Sequence, residues 1–269
     1  MLVLGLRTWA PPQIAVVEME GTIGPRLRAP DYVKLLREIG ESPRVRAVVL
    51  DVDSPGGSAT ASNYLYLSVR ALAQRKPVVA FIRGVGASGA YLLACPATRI
   101  VAIPSAIVGS IGVIAMHPLL YEAMDRLGLR MTVTKSDRLK DMGSMFREPT
   151  EEERKKEQAL VDDLHDQFLE AVAQGRGLDK AQVREIATGE VYTARRAKEL
   201  GLVDELGDLE RAIDLAAELG NAPRKPVWLR PKRGLREMVS SLVGTSVVDA
   251  VATRLEERLL NRYDIEYRL

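Results

Sequence analysis

Val45-Arg-Ala-Val-Val-Leu-Asp-Val-Asp-Ser-Pro-Gly-Gly-Ser58 is the stretch on which the reading of the fold turns. Residues 45–52 are a β-branched run with few polar side chains, the pattern of a strand covered on both faces of a parallel sheet. The run empties into the turn Asp53-Ser-Pro-Gly-Gly-Ser58. A helix is predicted over 59–74, with Tyr64, Leu65, Leu67 and Leu72 toward the core. The unit then recurs. Residues 77–82 predict a second buried strand, ended by Arg83-Gly84. Val85-Gly-Ala-Ser-Gly-Ala-Tyr-Leu-Leu-Ala94 begins as a glycine turn and continues as a helix of small residues.

Working outward, residues 13–20 predict a strand and 31–39 a helix, with Tyr32, Leu35, Leu36 and Ile39 at helical spacing. Strands are predicted over 99–103, 107–114 and 130–134, and a helix over 119–127. At Thr150 the character changes. A threonine followed by Glu151-Glu152-Glu153 is an N-cap and an acidic first turn, as the helix dipole favours. That helix is expected to reach about residue 174, with Leu160, Val161, Leu164, Phe168 and Val172 inward. Shorter helices are predicted over 179–187, 193–200 and 209–219. Strands alternating with helices predict an α/β fold with a parallel sheet and right-handed crossovers. Residues 223–234, rich in Pro, Lys and Arg, read as a linker, and 235–269 as an amphipathic C-terminal segment that packs on a neighbouring subunit or on its own domain, lies on a membrane surface, or reaches a substrate groove as a self-inhibitory tail.

Composition excludes several classes of function. The 269 residues carry 46% hydrophobic and 28% charged side chains, enough for a sizeable core and too ordered a mixture for a disordered chain. The net charge is +2, which gives no bulk attraction to nucleic acid. One cysteine, Cys95, excludes an internal disulfide and a multi-cysteine metal cluster, and two histidines make a His-built metal site unexpected. No metal and no cofactor is called for. The apolar start of the chain breaks at Arg7 and Pro11-Pro12, so residues 1–12 read as neither a signal peptide nor a transmembrane helix. The uncharged run 100–121 is long enough to span a bilayer. Its Pro104, Gly109, Gly112 and Pro118 make it buried strand and turn instead.

The two glycine turns are where chemistry can sit. Glycine allows a sharp turn and close approach, and a helix N-terminus presents free N–H groups. A serine there can attack a carbonyl while neighbouring amides hold the oxyanion. Ser88 is therefore a nucleophile candidate, with Gly57 and Gly89 as oxyanion donors. The same pattern also suits close helix–sheet packing around a small residue. Three bases are available in the sequence. His117 lies downstream, His165 falls in a polar helix and reads as solvated, and Lys140 lies in Asp137-Arg-Leu-Lys-Asp-Met-Gly-Ser144. A lysine serves only if its amine is neutral, which desolvation favours. On pattern alone a lysine at position 140 is more often a solvated surface lysine.

Taken together, Asp53-Ser-Pro-Gly-Gly-Ser58, Gly86-Ala-Ser-Gly-Ala-Tyr91, Gly109-Ser-Ile-Gly-Val-Ile114, Lys140-Asp-Met-Gly-Ser144 and Gly189-Glu-Val-Tyr-Thr-Ala194 with Leu200-Gly-Leu-Val-Asp204 resemble the signal peptide peptidase A family of serine proteases. The resemblance covers roughly residues 13–220. It implies a Clp-protease/crotonase-like superhelix of ββα units, with a protease domain over 1–222. It implies Ser88 as nucleophile, Lys140 as general base, Ser110 hydrogen-bonded to the lysine amine, and Gly57 and Gly89 as oxyanion amides. It further implies a serine endopeptidase with a Ser-Lys dyad, acting on extended apolar peptides such as remnant signal peptides. A homo-oligomer is implied, with sites shared between neighbouring subunits. The family is typically anchored in the cell membrane, which makes a membrane surface a further expected contact. The loop before Lys140 lacks a glycine that the family often has there. The rival readings are a Clp-like Ser-His protease using Ser88 and His117, an acyl-CoA enzyme of the crotonase type, and a catalytically silent membrane-associated scaffold.

Overall fold

The computed structural model describes residues 12–231, so the predicted amphipathic segment at 235–269 lies outside the described residues. The elements in chain order are β1 (Gln13–Glu20), α1 (Ala29–Glu41), β2 (Val45–Ser54), α2 (Ala59–Ala73), β3 (Val78–Ala87), α3 (Gly89–Ala94), β4 (Arg99–Ala102) and β5 (Ile107–Gly109). After these come α4 (Tyr121–Arg126), α5 (Glu151–Arg176), α6 (Lys180–Ile186), β6 (Val191–Thr193), α7 (Ala194–Glu199), β7 (Glu205–Leu206), α8 (Leu209–Gly220) and β8 (Pro226–Leu229). None of the described helices is long and apolar enough to cross a membrane. The described residues divide into two compact units, the first built from residues 12–111 and 169–231 and the second from 112–168.

The first unit holds the sheet, in the order β6-β5-β3-β2-β1-β8, with β4 and β7 branching from β3. Apart from β5 with β6, every pair is parallel. One face packs Ile14, Val16, Val49, Val79, Phe81 and Val101 under Ala212, Ile213 and Ala216 of α8. Against the other face lies α3, with α2 packed on it. The β-branched runs are buried throughout, as expected of strands sandwiched between helices.

β3 forks the sheet. Val79 to Ile82 pair with β4, while Val85 to Ala87 pair with β5. On its other side, β2 steps from Val52 to Ser54 while β3 advances from Ile82 to Gly86. The Asp53 carboxylate fills this irregularity and accepts the Val85 N–H at 3.0 Å. Bulges of this kind re-aim the strand beyond them, and β3 here runs directly into the turn at Ser88.

Two contacts explain the distal motif ending at Asp204. Its carboxylate accepts the Ile100 N–H at 2.6 Å and pairs with Arg176 at 2.8 Å, joining β4 to the end of α5. The hydroxyl of fully buried Tyr91 donates to the Leu202 carbonyl at 2.9 Å. Cys95, also buried, directs its thiol to the Leu92 carbonyl, and burial raises that thiol far above the ordinary range.

Several sequence expectations change. The strand expected over 107–114 stops at Gly109, because Gly109 and Ser110 take φ of 106° and 49°. The uncharged run is mostly buried or half-buried as far as Ile111, apart from exposed Pro104 and Ser105, and then surfaces, with Ile114 and Met116 about three-quarters exposed (77% and 75%). Residues 130–134 form no strand, since no neighbouring strand takes up their backbone groups. Residues 226–229 of the predicted linker are β8, paired to β1, with Pro226 as its first residue, where the missing N–H matters least. In α2 the buried face is Leu65, Tyr66, Val69 and Leu72, leaving Tyr64 and Leu67 exposed. In α5 Phe168 and Val172 are buried but Leu160 and Leu164 are not. The His165 side chain is half-buried and its Nε2 is buried without a protein partner, so this nitrogen is not solvated as expected.

Candidate active site

Ser88 stands between the end of β3 and the first residue of α3, with φ 52° and ψ −125°. Glycine adopts that backbone freely, whereas other residues are strained there. Two hydrogen bonds hold it. The Ser88 N–H donates to the Gly109 carbonyl at 2.8 Å, and its own carbonyl accepts the Leu92 N–H at 3.0 Å, starting the helix. The side chain is left half-buried, not fixed as a helix cap. A serine on a strained strand-to-helix elbow is the arrangement that presents a nucleophilic hydroxyl to a substrate.

The Pro-Gly-Gly turn lies directly against this elbow. A Cβ added to Gly56 would come within 2.7 Å of the Gly89 nitrogen and 2.9 Å of the Ser88 Cβ, so no larger residue fits. The turn is held by the buried Ser54 hydroxyl, which accepts the Gly56 N–H at 3.1 Å. It is also tied to the loop after β1. The Ile23 N–H donates to the Gly56 carbonyl at 2.7 Å, and the Ile23 carbonyl accepts the Ser58 N–H at 3.0 Å. This bridge uses the groups on either side of Gly57 and leaves the Gly57 N–H out of it. Gly57 is exposed, with φ 147° and Ile23 backbone where a side chain would stand. The Gly89 N–H belongs to the first turn of α3, where no helical carbonyl can accept it.

Ser110 is the third part of this cluster. It directly follows Gly109, whose carbonyl holds Ser88, and its own N–H donates to the Glu190 carbonyl at 2.7 Å. Like Ser88 it is half-buried with a positive φ, here 49°. The first unit thus brings together Ser88, Gly89, Gly57 and Ser110, each named from the sequence. Gly56 and Ser54 emerge only from the fold. The doubled glycine of the turn is a visible signal for the first, and nothing in the sequence marks the second.

Lys140 belongs to the second unit. It is exposed, in a series of turns, with its N–H donating to the Asp137 carbonyl at 3.2 Å. The neighbouring Asp141 is held by Arg147 and Lys135, which keep its carboxyl well below the usual range. Arg147 also grips Glu153, which with the Thr150 N–H lowers that carboxyl to about 2. His117, in the same unit, is exposed and has its Nε2 2.5 Å from Glu157 Oε1.

Comparison with known proteins agrees with the motifs. The description of Peptidase family S49 matches residues 70–222. A Methanocaldococcus jannaschii protein named as a candidate protease, MJ0651, is 40% identical over 71% of this chain and 61% of its own length. A Synechocystis candidate protease, slr0021, is 35% identical over 86% of this chain and 83% of its own. The chloroplastic serine protease SPPA of Arabidopsis thaliana is 31% identical over 91% of this chain, which spans only 38% of that protein. Among solved structures, a serine-to-alanine mutant of the 1510-N membrane-bound stomatin-specific protease superposes with a TM-score of 0.53 at 16% identity, over 83% of this chain and 100% of that one. An asparagine-to-aspartate mutant of ClpP1 from Listeria monocytogenes gives 0.51 at 14%, over 73% of this chain and 93% of that one. At these identities the two structures speak for the fold alone, a Clp-protease-like one.

Proposed function

The chain belongs to peptidase family S49, and from that premise we propose that it is a serine endopeptidase with Ser88 as nucleophile and Lys140 as general base. The observation that carries the reading is the strained backbone of Ser88, pressed against Gly56. Strain of this size persists where the surroundings over-determine it, and sites of chemistry are where it gathers.

The groups available set the steps. The neutral Lys140 amine takes the Ser88 hydroxyl proton as the oxygen attacks a peptide carbonyl. The Gly57 and Gly89 N–H groups receive the oxyanion. The protonated amine then gives its proton to the leaving nitrogen, and water releases the acyl group by the same route in reverse. Ser110 orients the amine. Substrates are extended and apolar, remnant signal peptides among them. Lys140 is exposed in the single chain, and a lysine amine acts as a base only when it is neutral, a form that desolvation favours. A neighbouring copy that covers it would favour the neutral amine, and sites shared between copies of the chain supply that cover.

Ser88→Ala and Lys140→Ala are each expected to lower casein hydrolysis at least a thousandfold while leaving the assembly intact on size-exclusion chromatography, on the scale of losing one member of a catalytic set. Normal turnover by either would sink the assignment. One observation favours a second reading. The His117–Glu157 pair is the base-and-orienter arrangement of a Ser-His-acid protease. In that case His117→Ala abolishes hydrolysis and Lys140→Ala does not.

A further inference from the structure

Lys140 sits among acids yet is bonded to none of them. Asp137 and Asp141 flank it in sequence, but among the described residues its amine makes no hydrogen bond or ion pair. Both acids have other partners: Asp137 Oδ1 accepts the Arg138 N–H at 2.6 Å, and Asp141 is held by two cations. Asp141 Oδ1 accepts from Lys135 Nζ at 2.6 Å and from Arg147 Nη2 at 2.9 Å, and Oδ2 accepts from Arg147 Nε at 3.0 Å. The same guanidinium reaches onward to Glu153, with Nη1 to Oε2 at 2.8 Å and Nη2 to Oε1 at 2.5 Å. Glu153 is 2% exposed and is itself fixed at the start of α5. It accepts the Thr150 N–H at 2.7 Å while the Thr150 hydroxyl accepts the Glu153 N–H at 3.2 Å, a capping box. On the other side of Lys140, Arg138 makes a two-pronged pair with Glu152, at 3.0 and 2.6 Å.

We propose that Arg147 is a positioning residue for the general base: it ties the Lys140 turn to the first turn of α5 and occupies Asp141 so that this carboxylate cannot pair with the Lys140 amine. The proposal rests on the reading of Lys140 as base. A base must be unprotonated, and an adjacent free carboxylate favours the protonated amine. A turn without strand or helix hydrogen bonds also needs an external anchor, because misplacement by about 1 Å can cost two orders of magnitude in rate. The planar fork of arginine suits the task, since it can bind two carboxylates at once.

The test uses the full chain and fluorescein-labelled casein. Arg147→Met is expected to lower kcat by on the order of tenfold or more with KM within about twofold, since substrate contacts are untouched. Adding Asp141→Asn to Arg147→Met removes the freed carboxylate and is expected to restore part of the lost kcat. A merely structural arginine would show no such rescue, because the second change removes a further anchor. If Arg147→Met fails to fold, Arg147→Lys, which can hold one carboxylate but not both, takes its place with the same rescue. Wild-type kcat in the Arg147 variant, or a double variant no better than the single one, would overturn the proposal while leaving Lys140 as base. Full turnover by Lys140→Ala would instead remove the underlying reading, and this proposal with it.

Discussion

Ser88 holds a backbone conformation that a residue with a side chain adopts only under strain. At φ 52° and ψ −125° a residue with a Cβ costs roughly 1–3 kcal/mol, and glycine avoids that cost while adding about 0.5–1 kcal/mol of chain entropy to the unfolded state. Ser88→Gly is therefore expected to be more stable than Ser88→Ala by about 1 kcal/mol, although neither should hydrolyse peptide. Urea midpoints of the two variants check this, and equal midpoints would mean that the elbow stores no strain. The elbow at Ser88 and the glycines packed against it were legible in the sequence because sharp strand-to-helix turns with close backbone approach need particular residue types in a fixed order. Arg147 was not. It lies beyond the motif that ends at Ser144, and the value of an arginine depends on two carboxylates, Asp141 and Glu153, that only the folded turn brings to it.

At the scale of elements, the start of α5 has the most to lose in acid. Glu153 holds Arg147 and the Thr150 N–H, and its carboxyl falls from the usual 4.5 to about 2. A lowered carboxyl contributes its stability above its unfolded value and loses it as the pH drops. The contribution is whole above about pH 4.5 and fades toward pH 2. Glu153→Gln is thus expected to melt below wild type at about pH 7, with the gap closing as the pH falls below 4.5; a gap constant from about pH 7 to 3 would contradict the assignment. Strand and helix cores were legible because β2 and β3 announce themselves by β-branched runs. Their ends were less so. β5 ends where Ser110 turns to a positive φ, which its apolar neighbours Ile111 and Val113 concealed. β8 was hidden by prolines that an edge strand tolerates at its first position.

For the molecule as a whole, the second unit exposes what a soluble surface normally covers. Ile114, Met116 and Leu127 are each about three-quarters exposed (74–77%), with Leu129, Met131 and Val133 half-exposed beside them in sequence. Burying one such side chain contributes about 1.5–3 kcal/mol, and a second copy of the chain is the partner that the proposed shared sites call for. Ile114→Asp with Met116→Asp is expected to shift the sedimentation profile toward the monomer and to lower activity in parallel; an unchanged profile would mean that these residues face solvent in the assembly. No pattern in the sequence marks this surface, because exposed apolar side chains read like core in a sequence. The chain's sulfur chemistry is equally a property of the whole. Cys95 is its single thiol, and it is buried at the C-terminal end of α3 with a strongly raised thiol pKa. The native protein should therefore ignore alkylating reagents at neutral pH. That silence makes Lys140→Cys chemically addressable by itself. Treatment with 2-bromoethylamine would turn the new side chain into a lysine analogue with sulfur in place of one methylene. Recovery of hydrolysis after alkylation would then restore the missing amine without touching any other atom of the enzyme.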